Sequence, residues 1–138
     1  MQKKTGNLKL FNGIIAAVAI LFGILTIKSG GQVLFGDDSN RIAAGNYVPF
    51  VLWFNFLAGF IYVVAGLGIL LCKSWSMWLA LLIALTTLSV FATLGVHILT
   101  GGAYEPRTVA AMTLRSTAWV AISVFLFRNM EKGANHVA

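Results

Sequence analysis

Arg115 is the residue in this chain whose type and position point most directly to chemistry. It lies inside an apolar segment, among Ala, Met, Thr, Leu, Ser and Trp. A guanidinium that faces lipid at the centre of a membrane helix costs about 2.5–3.5 kcal/mol on insertion scales, so we expect Arg115 to face the protein interior. Its planar fork of five N–H donors suits a carboxylate or another anionic or carbonyl-bearing group. The residue therefore predicts recognition of an anionic or carbonyl-bearing group.

Other polar residues are predicted at a related depth. Counted at 1.5 Å per residue from the expected helix ends, Arg115, Asn55 and Thr93 lie about 9–10 Å below one membrane surface, and Tyr62 lies about 20 Å deep. Helical spacing puts Thr93 on one face with Thr86, Ser89 and His97, and we expect this face to point at the other helices. The predicted ligand-binding residues are Arg115, Glu105, Arg107, His97, Asn55, Thr93 and Tyr62.

Structural alternatives stand beside these binding roles. Arg115 either pairs with Glu105 and ties the 100–107 turn onto the bundle, or joins Arg107 and Lys28 in an outward-facing cavity for a ligand. The two are compatible, because a ligand could displace the carboxylate. The hydroxyl groups of the third helix could instead bond to carbonyls of their own helix, and its histidine could be a hydrated residue at the membrane interface.

Composition assigns the chain to a membrane. Its 138 residues are 59% hydrophobic and 10% charged, whereas a soluble domain is about 45–50% apolar and about 25% charged. The net charge of +6 comes from cations at the ends of apolar runs, where they orient the helices and bind anionic head groups. Nucleic acid is therefore not an expected partner. One cysteine and two histidines predict no disulfide framework and no metal site.

Four apolar segments are long enough to cross a hydrocarbon core of ~30 Å. They predict an all-α, integral membrane four-helix up-down bundle that forms a single domain over residues 1–138. The expected helices are 10–27, 48–71, 75–99 and 108–127. The first one follows Lys3, Lys4 and Lys9 and so also resembles a signal peptide, but its length favours an uncleaved helix.

The distribution of basic residues predicts the orientation. Lysines precede the first helix, Lys73 lies in the 72–74 turn, and Arg128 and Lys132 follow the fourth helix. By the positive-inside rule both termini and the 72–74 turn are cytoplasmic, in a multi-pass protein of the inner (plasma) membrane. The two glycine-containing loops then face outward.

Small residues predict where helices approach one another. Gly13/Ala17 and Ala19/Gly23 are small-xxx-small pairs on the first helix, and such pairs allow close backbone contact in membranes. The first and third helices also end in similar sequences, GILTIKSGG (23–31) and GVHILTGG (95–102). This similarity raises the alternative that the bundle is two tandem helical hairpins. Exposed glycine faces would favour a homo-oligomer.

The glycine pattern supports one family comparison. The first helix ends GILTIKSGG, the second contains LAGFIYVVAGLGILL, and the one-charge turn CKSW leads directly into the third. In these features, over most of its length, the chain resembles the DoxX-like superfamily of small four-helix membrane proteins. The resemblance implies a membrane subunit, in some members linked to quinone-dependent oxidoreductases. That family often carries an acidic residue in the second helix, where this chain has Tyr62.

Our leading interpretation is a non-enzymatic membrane protein with an outward-facing polar pocket around Arg115. The pocket would bind a lipid head group, a quinone or a similar small ligand, or would dock a partner subunit. The first alternative is a subunit of a quinone-linked oxidoreductase, in which His97 accepts a proton and Arg115 and Tyr62 donate hydrogen bonds. The second alternative is a small transporter. No cofactor is predicted unless the ligand is a quinone.

Overall fold

A computed structural model describes the backbone of residues 2–137 and the side chains of residues 6–129. The described chain is all-α, as predicted, and contains no strand. Its helices are α1 (Gln2–Phe35), α2 (Asp38–Ala44), α3 (Pro49–Leu70), α4 (Trp75–Leu99) and α5 (Pro106–Val137).

The four long helices have the length and hydropathy of membrane spans. Their apolar segments are Gly6–Phe35, Pro49–Leu70, Trp75–Leu99 and Pro106–Asn129. Lipid-facing leucines, isoleucines and phenylalanines remain exposed along all of them, as expected for a bundle whose surroundings are acyl chains. The chain is therefore a multi-pass membrane protein, as its composition predicts.

Two of the four predicted helices have almost the predicted bounds. α4 matches 75–99, and α3 differs from the expected 48–71 by one residue at each end. Pro49 lies at the start of α3, where its missing N–H does not interrupt a helical hydrogen bond. Gly101, with a φ of 87°, follows the end of α4, and a left-handed residue of this kind is the usual end of a helix.

The predicted end of the first helix is wrong. α1 continues through Gly30 and Gly31 to Phe35. These glycines pack against α3 rather than forming a turn: a Cβ atom at Gly30 would lie 3.1 Å from the Cβ of Phe56. GILTIKSGG and GVHILTGG therefore adopt different structures, which removes their support for two tandem hairpins. α5 is also longer than the predicted 108–127 and begins at Pro106.

The short helix α2 was not predicted. Asp38 occupies its first turn, where an acidic side chain complements the helix dipole. Arg41 donates hydrogen bonds to the carbonyl oxygens of Val33 (3.2 Å) and Leu34 (3.3 Å). It thus satisfies carbonyl groups at the C-terminus of α1. α2 marks one end of the bundle, called here the α2 end, and the 71–74 turn marks the opposite end.

A seam of small residues joins α1 to α3. A Cβ atom at Gly23 would lie 2.7 Å from the carbonyl oxygen of Gly59, and one at Gly66 would lie 3.1 Å from the carbonyl oxygen of Ala16. The close approach predicted for the Ala19/Gly23 pair is confirmed at Gly23. The prediction for Gly13/Ala17 is wrong, because a Cβ atom at Gly13 would meet no atom within 4 Å.

Tyr62 and Trp119 fill the centre of the bundle. Their exposed fractions are 0% and 1%, and their ring centroids are 4.9 Å apart. They belong to an apolar core that continues to Ile69 and Leu126 toward the opposite end. A smaller cluster at the α2 end contains Val48, Val51, Leu94 and Met112.

Candidate functional site

Arg115 is buried in the first third of α5. It lies nine residues after Pro106, or about 14 Å along the helix, which is deeper than predicted because α5 begins before Thr108. The residue as a whole is 9% exposed. Its Nη2 atom donates a hydrogen bond to Thr26 Oγ1 at 3.3 Å. The guanidinium carbon also lies 5.3 Å from the centroid of the Phe22 ring, within the range of a cation–π interaction.

The predicted ion pair between Arg115 and Glu105 is not formed. Glu105 Oε1 instead accepts a hydrogen bond from the backbone N–H of Asn46 at 2.8 Å. Among the described side chains, the only ion pair joins Arg41 to Asp38, at 3.9 Å. Arg115 is therefore buried without a paired carboxylate, and its Nε has no hydrogen-bond partner within residues 6–129. An unpaired buried cation is costly, so a partner for it is expected.

A central cavity of about 270 Å³ adjoins Arg115 at the α2 end. It lies between α1, α3 and α5, and it is also lined by Ala44 at the end of α2 and by Tyr47 of the α2–α3 connection. Its other polar lining residues are Thr26, Ser29, Asn55, Glu105, Arg107, Thr108 and Arg115. Four of the predicted site residues, Arg115, Asn55, Glu105 and Arg107, are thus brought to one cavity.

A lateral cavity of about 300 Å³ lies beside it. The two cavities share Thr26, Ser29 and Arg115, so that Arg115 contacts both. The lateral cavity is bounded mainly by α1, through Phe22, Leu25, Thr26, Lys28, Ser29 and Gln32.

Asn55 and Arg107 reach the central cavity in different ways. The Oδ1 of Asn55 is buried and has no hydrogen-bond partner among the described residues, so it is free to accept one from a ligand. Arg107 is exposed and donates through Nη2 to the carbonyl oxygen of Ala43 at 2.9 Å. Together with the Glu105–Asn46 hydrogen bond, this contact holds the end of α2 over the cavity.

Tyr62 lies beneath the cavity rather than in its wall. Its ring stacks on Phe22, with centroids 5.9 Å apart and an interplanar angle of 13°. Phe22 thus lies between Arg115 and the aromatic centre of the bundle. The Tyr62 hydroxyl is adjacent to the side chains of Thr87 and Trp119, but their polar atoms make no hydrogen bond of good geometry within the described part of the chain.

The prediction that Thr93 and His97 face Arg115 is wrong. Thr93 is exposed, and its hydroxyl donates to the carbonyl oxygen of Ser89 at 2.9 Å. His97 Nε2 lies 3.0 Å from the carbonyl oxygen of Ala103, and its ring packs against Phe50 at 6.0 Å. Neither residue lines a cavity described above. The alternative that these hydroxyls bond to their own helix is confirmed for Thr86 and Ser89.

The face of α4 that points inward carries smaller and less polar residues. Its buried positions include Ala80, Ile83, Ala84, Thr87 and Leu94. Thr87, at 0% exposure, is the hydroxyl residue that reaches the aromatic centre. This face packs against Tyr62 and Trp119 in one apolar core. The opposite face can carry Thr93 toward lipid, because a threonine can satisfy its hydroxyl on its own backbone at little cost.

Thr26 and Phe22, the residues that contact the guanidinium, were not predicted. A sequence signal for Thr26 was present. Ala16, Ala19, Gly23, Thr26 and Gly30 recur at alternating intervals of three and four residues, and all are buried. Following this stripe of small residues along the first helix would have placed Thr26 on the face that packs inside the bundle.

Comparison with models of protein families, with curated proteins and with solved structures finds no match to this chain. The resemblance to the DoxX-like superfamily stays a prediction. The function is therefore inferred from the geometry around Arg115, whose unpaired guanidinium can bind an oxygen-bearing group in a shielded site.

Proposed function

We propose that this protein binds a small ligand through an anionic or carbonyl-bearing head group held by Arg115. The observation that carries the proposal is the guanidinium of Arg115, a residue that is 9% exposed. Among the described atoms this guanidinium has no paired carboxylate, and its Nε has no hydrogen-bond partner. A bound oxygen-bearing group would supply the missing acceptor. A charge-assisted hydrogen bond of this kind is stronger than a neutral one.

The size of the central cavity suits a head group rather than a whole large ligand. Its volume of about 270 Å³ is near the lower limit of about 300 Å³ for small-molecule pockets. Thr108 and Ser29 bring hydroxyl groups to it, and the buried Oδ1 of Asn55 offers an acceptor. A ligand with both acceptor and donor groups, such as a lipid head group, fits this lining.

The geometry supports binding better than the two alternatives. His97, the residue expected to accept a proton from a quinol, contacts Phe50 and Ala103 outside both cavities. A transport path would have to pass Tyr62 and Trp119, which are 0% and 1% exposed and pack against each other. Binding requires neither a proton acceptor nor a second opening.

The test is thermal unfolding of the purified full-length protein in detergent micelles with three probes. These are inorganic phosphate, dioleoyl phosphatidic acid and a short-chain quinone. A ligand at 100 times its dissociation constant stabilises the folded state by about 2.7 kcal/mol, so at least one probe should raise the melting temperature of the wild type. The increase should be lost in Arg115→Gln and reduced in Arg115→Lys, because one ammonium group cannot replace a planar donor fork.

Arg128→Gln is the matched control for this test. Arg128 is an exposed arginine on the same helix, close to the opposite end of the bundle, and its replacement should leave the stabilisation intact. The proposal fails if Arg115→Gln folds and retains the full response to every probe that stabilises the wild type. Native mass spectrometry of the same samples would report a second copy or a bound partner subunit.

A further inference from the structure

The lateral cavity carries two cations and no lining carboxylate. Arg115 contributes one positive charge from α5, and Lys28 contributes the other from α1. The remaining polar lining residues, Thr26, Ser29 and Gln32, are neutral. The central cavity, in contrast, has the Glu105 carboxylate beside its two cations, Arg107 and Arg115. The electrostatic attraction for a multiply charged anion is therefore stronger in the lateral cavity.

The opposite directions of α1 and α5 bring the charged groups of Lys28 and Arg115 to similar depths below the α2 end. Lys28 lies seven residues before Phe35, or about 10 Å along α1, and Arg115 lies about 14 Å from the start of α5. Side chains of a helix lean toward its N-terminus. Since α5 begins at the α2 end and α1 finishes there, Arg115 leans toward that end and Lys28 leans away from it.

The outer rim of the lateral cavity is apolar and faces lipid. Leu21, Leu25 and Lys28 follow one another at helical spacing on α1, and the two leucines are 59% and 52% exposed. Leu25 itself lines the cavity. An amphiphile with its acyl chain along Leu21 and Leu25 would bring its head group to Lys28 and Arg115.

From this juxtaposition we propose that the ligand is a phosphate-bearing membrane lipid that reaches Arg115 sideways from the bilayer, through the lateral cavity. The inference rests on the proposed function and adds the chemical class of the ligand and its route. The phosphate oxygens accept hydrogen bonds from the Arg115 guanidinium and the Lys28 ammonium group, with the Ser29 and Thr26 hydroxyls beside them. The acyl chains remain in the bilayer against the exposed face of α1.

The experiment is native mass spectrometry of the full-length protein in detergent with equal amounts of dioleoyl phosphatidic acid and dioleoyl phosphatidylcholine. The wild type should bind phosphatidic acid preferentially. Lys28→Gln should lower its affinity for phosphatidic acid about tenfold, as expected for one lost charge-assisted hydrogen bond. Lys28 is exposed, so this variant should fold even if Arg115→Gln does not.

Arg128→Gln is the matched control, because Arg128 is exposed, as Lys28 is, and lines neither cavity. It should change the affinity for phosphatidic acid by less than about twofold, because an exposed charge outside the binding site contributes little. Arg107→Gln, at a residue that lines the central cavity and not the lateral one, distinguishes the two sites. If Arg107→Gln weakens binding and Lys28→Gln does not, the lateral route is overturned and the proposed function survives. If Arg115→Gln folds and binds phosphatidic acid like the wild type, both fail.

Inorganic phosphate distinguishes a lipid from a soluble anion. Leu21→Trp should disturb the acyl-chain contact on α1 and lower the affinity for phosphatidic acid. It should leave the weaker binding of inorganic phosphate unchanged, because Leu21 does not line the lateral cavity. Equal affinities of the wild type for the free ion and the lipid, or no effect of Leu21→Trp on lipid binding, would show that the bilayer is not the source and would overturn the lipid proposal.

Discussion

Arg115 and Thr26, which are 89 residues apart in the chain, form a buried hydrogen bond of 3.3 Å across the gap between α5 and α1. The aromatic contact between Phe11 and Phe125, with centroids 6.2 Å apart, joins the same two helices closer to the opposite end. The lateral cavity extends along α1 on both sides of Thr26, from Phe22 to Gln32. The Arg115–Thr26 pair therefore lies where the central and lateral cavities meet.

Replacing Thr26 by valine tests the contribution of this hydrogen bond. Valine has nearly the same shape but no hydroxyl, so the guanidinium would lose its hydrogen-bond acceptor on α1. We expect a loss of about 0.6–2 kcal/mol in the free energy of unfolding, the range for hydrogen bonds between membrane helices. Unfolding in mixed detergent micelles measures it. Thr26→Ser keeps the hydroxyl and is the control; a serine variant less stable than the valine variant would contradict the assignment.

Replacing Gly23 by alanine tests the α1–α3 seam. The added Cβ would lie 2.7 Å from the carbonyl oxygen of Gly59, and this oxygen belongs to a helix backbone that cannot move alone. We expect a destabilisation of about 1–3 kcal/mol, typical of overpacking, measured by the same unfolding assay.

Gly13→Ala is the matched control on the same helix. A Cβ atom there meets nothing within 4 Å, and alanine is the better helix former by about 1 kcal/mol. Its stability should be equal to or above that of the wild type. If Gly13→Ala and Gly23→Ala lower the free energy of unfolding by the same amount, the close contact between α1 and α3 at Gly23 is contradicted.

The sequence specifies helix positions better than helix rotations. The bounds of α4 follow from an apolar run between the Lys73 turn and Gly101, but its stripe of hydroxyl residues does not determine which face points inward, because these hydroxyls bond to their own helix. Thr93 could face lipid because one hydroxyl is satisfied by one carbonyl of its own helix. Arg115 had no such option, since a guanidinium has five donors and a full charge, and its burial was therefore predictable.

The partners of Arg115 could not be predicted by charge alone. Glu105, the nearest acidic residue in the sequence, was the expected partner of Arg115, yet its carboxylate accepts a hydrogen bond from the backbone N–H of Asn46 instead. Thr26 and Phe22 lie on the first helix, in a segment that the sequence suggested was about to end at Gly30. The end of α1 was predicted too early because a pair of glycines usually indicates a turn. Only the structure shows that Gly30 and Gly31 pack against Phe56 within the helix.

Replacing Tyr62 by phenylalanine distinguishes packing from polar function at the bundle centre. The Tyr62 hydroxyl is buried without a hydrogen-bond partner among the described atoms, so its removal should change the free energy of unfolding by less than about 0.5 kcal/mol or stabilise the protein. Tyr62→Ala, which also removes the ring that contacts Phe22 and Trp119, should cost about 3–5 kcal/mol. A loss above about 1.5 kcal/mol in the phenylalanine variant would mean that the hydroxyl is bonded in the folded protein.

Labelling of Cys72 tests the orientation predicted from the basic residues. Cys72 is the single cysteine of the chain and is exposed in the turn at the opposite end. If that turn is cytoplasmic, as the positive-inside rule predicts, a membrane-impermeant maleimide should label it only after cells are permeabilised. Ser39→Cys in a Cys72→Ser background, in the exposed helix α2, should be labelled in intact cells. The reverse pattern would place both cavities on the cytoplasmic side, and the lipid bound at Arg115 would then come from the inner leaflet.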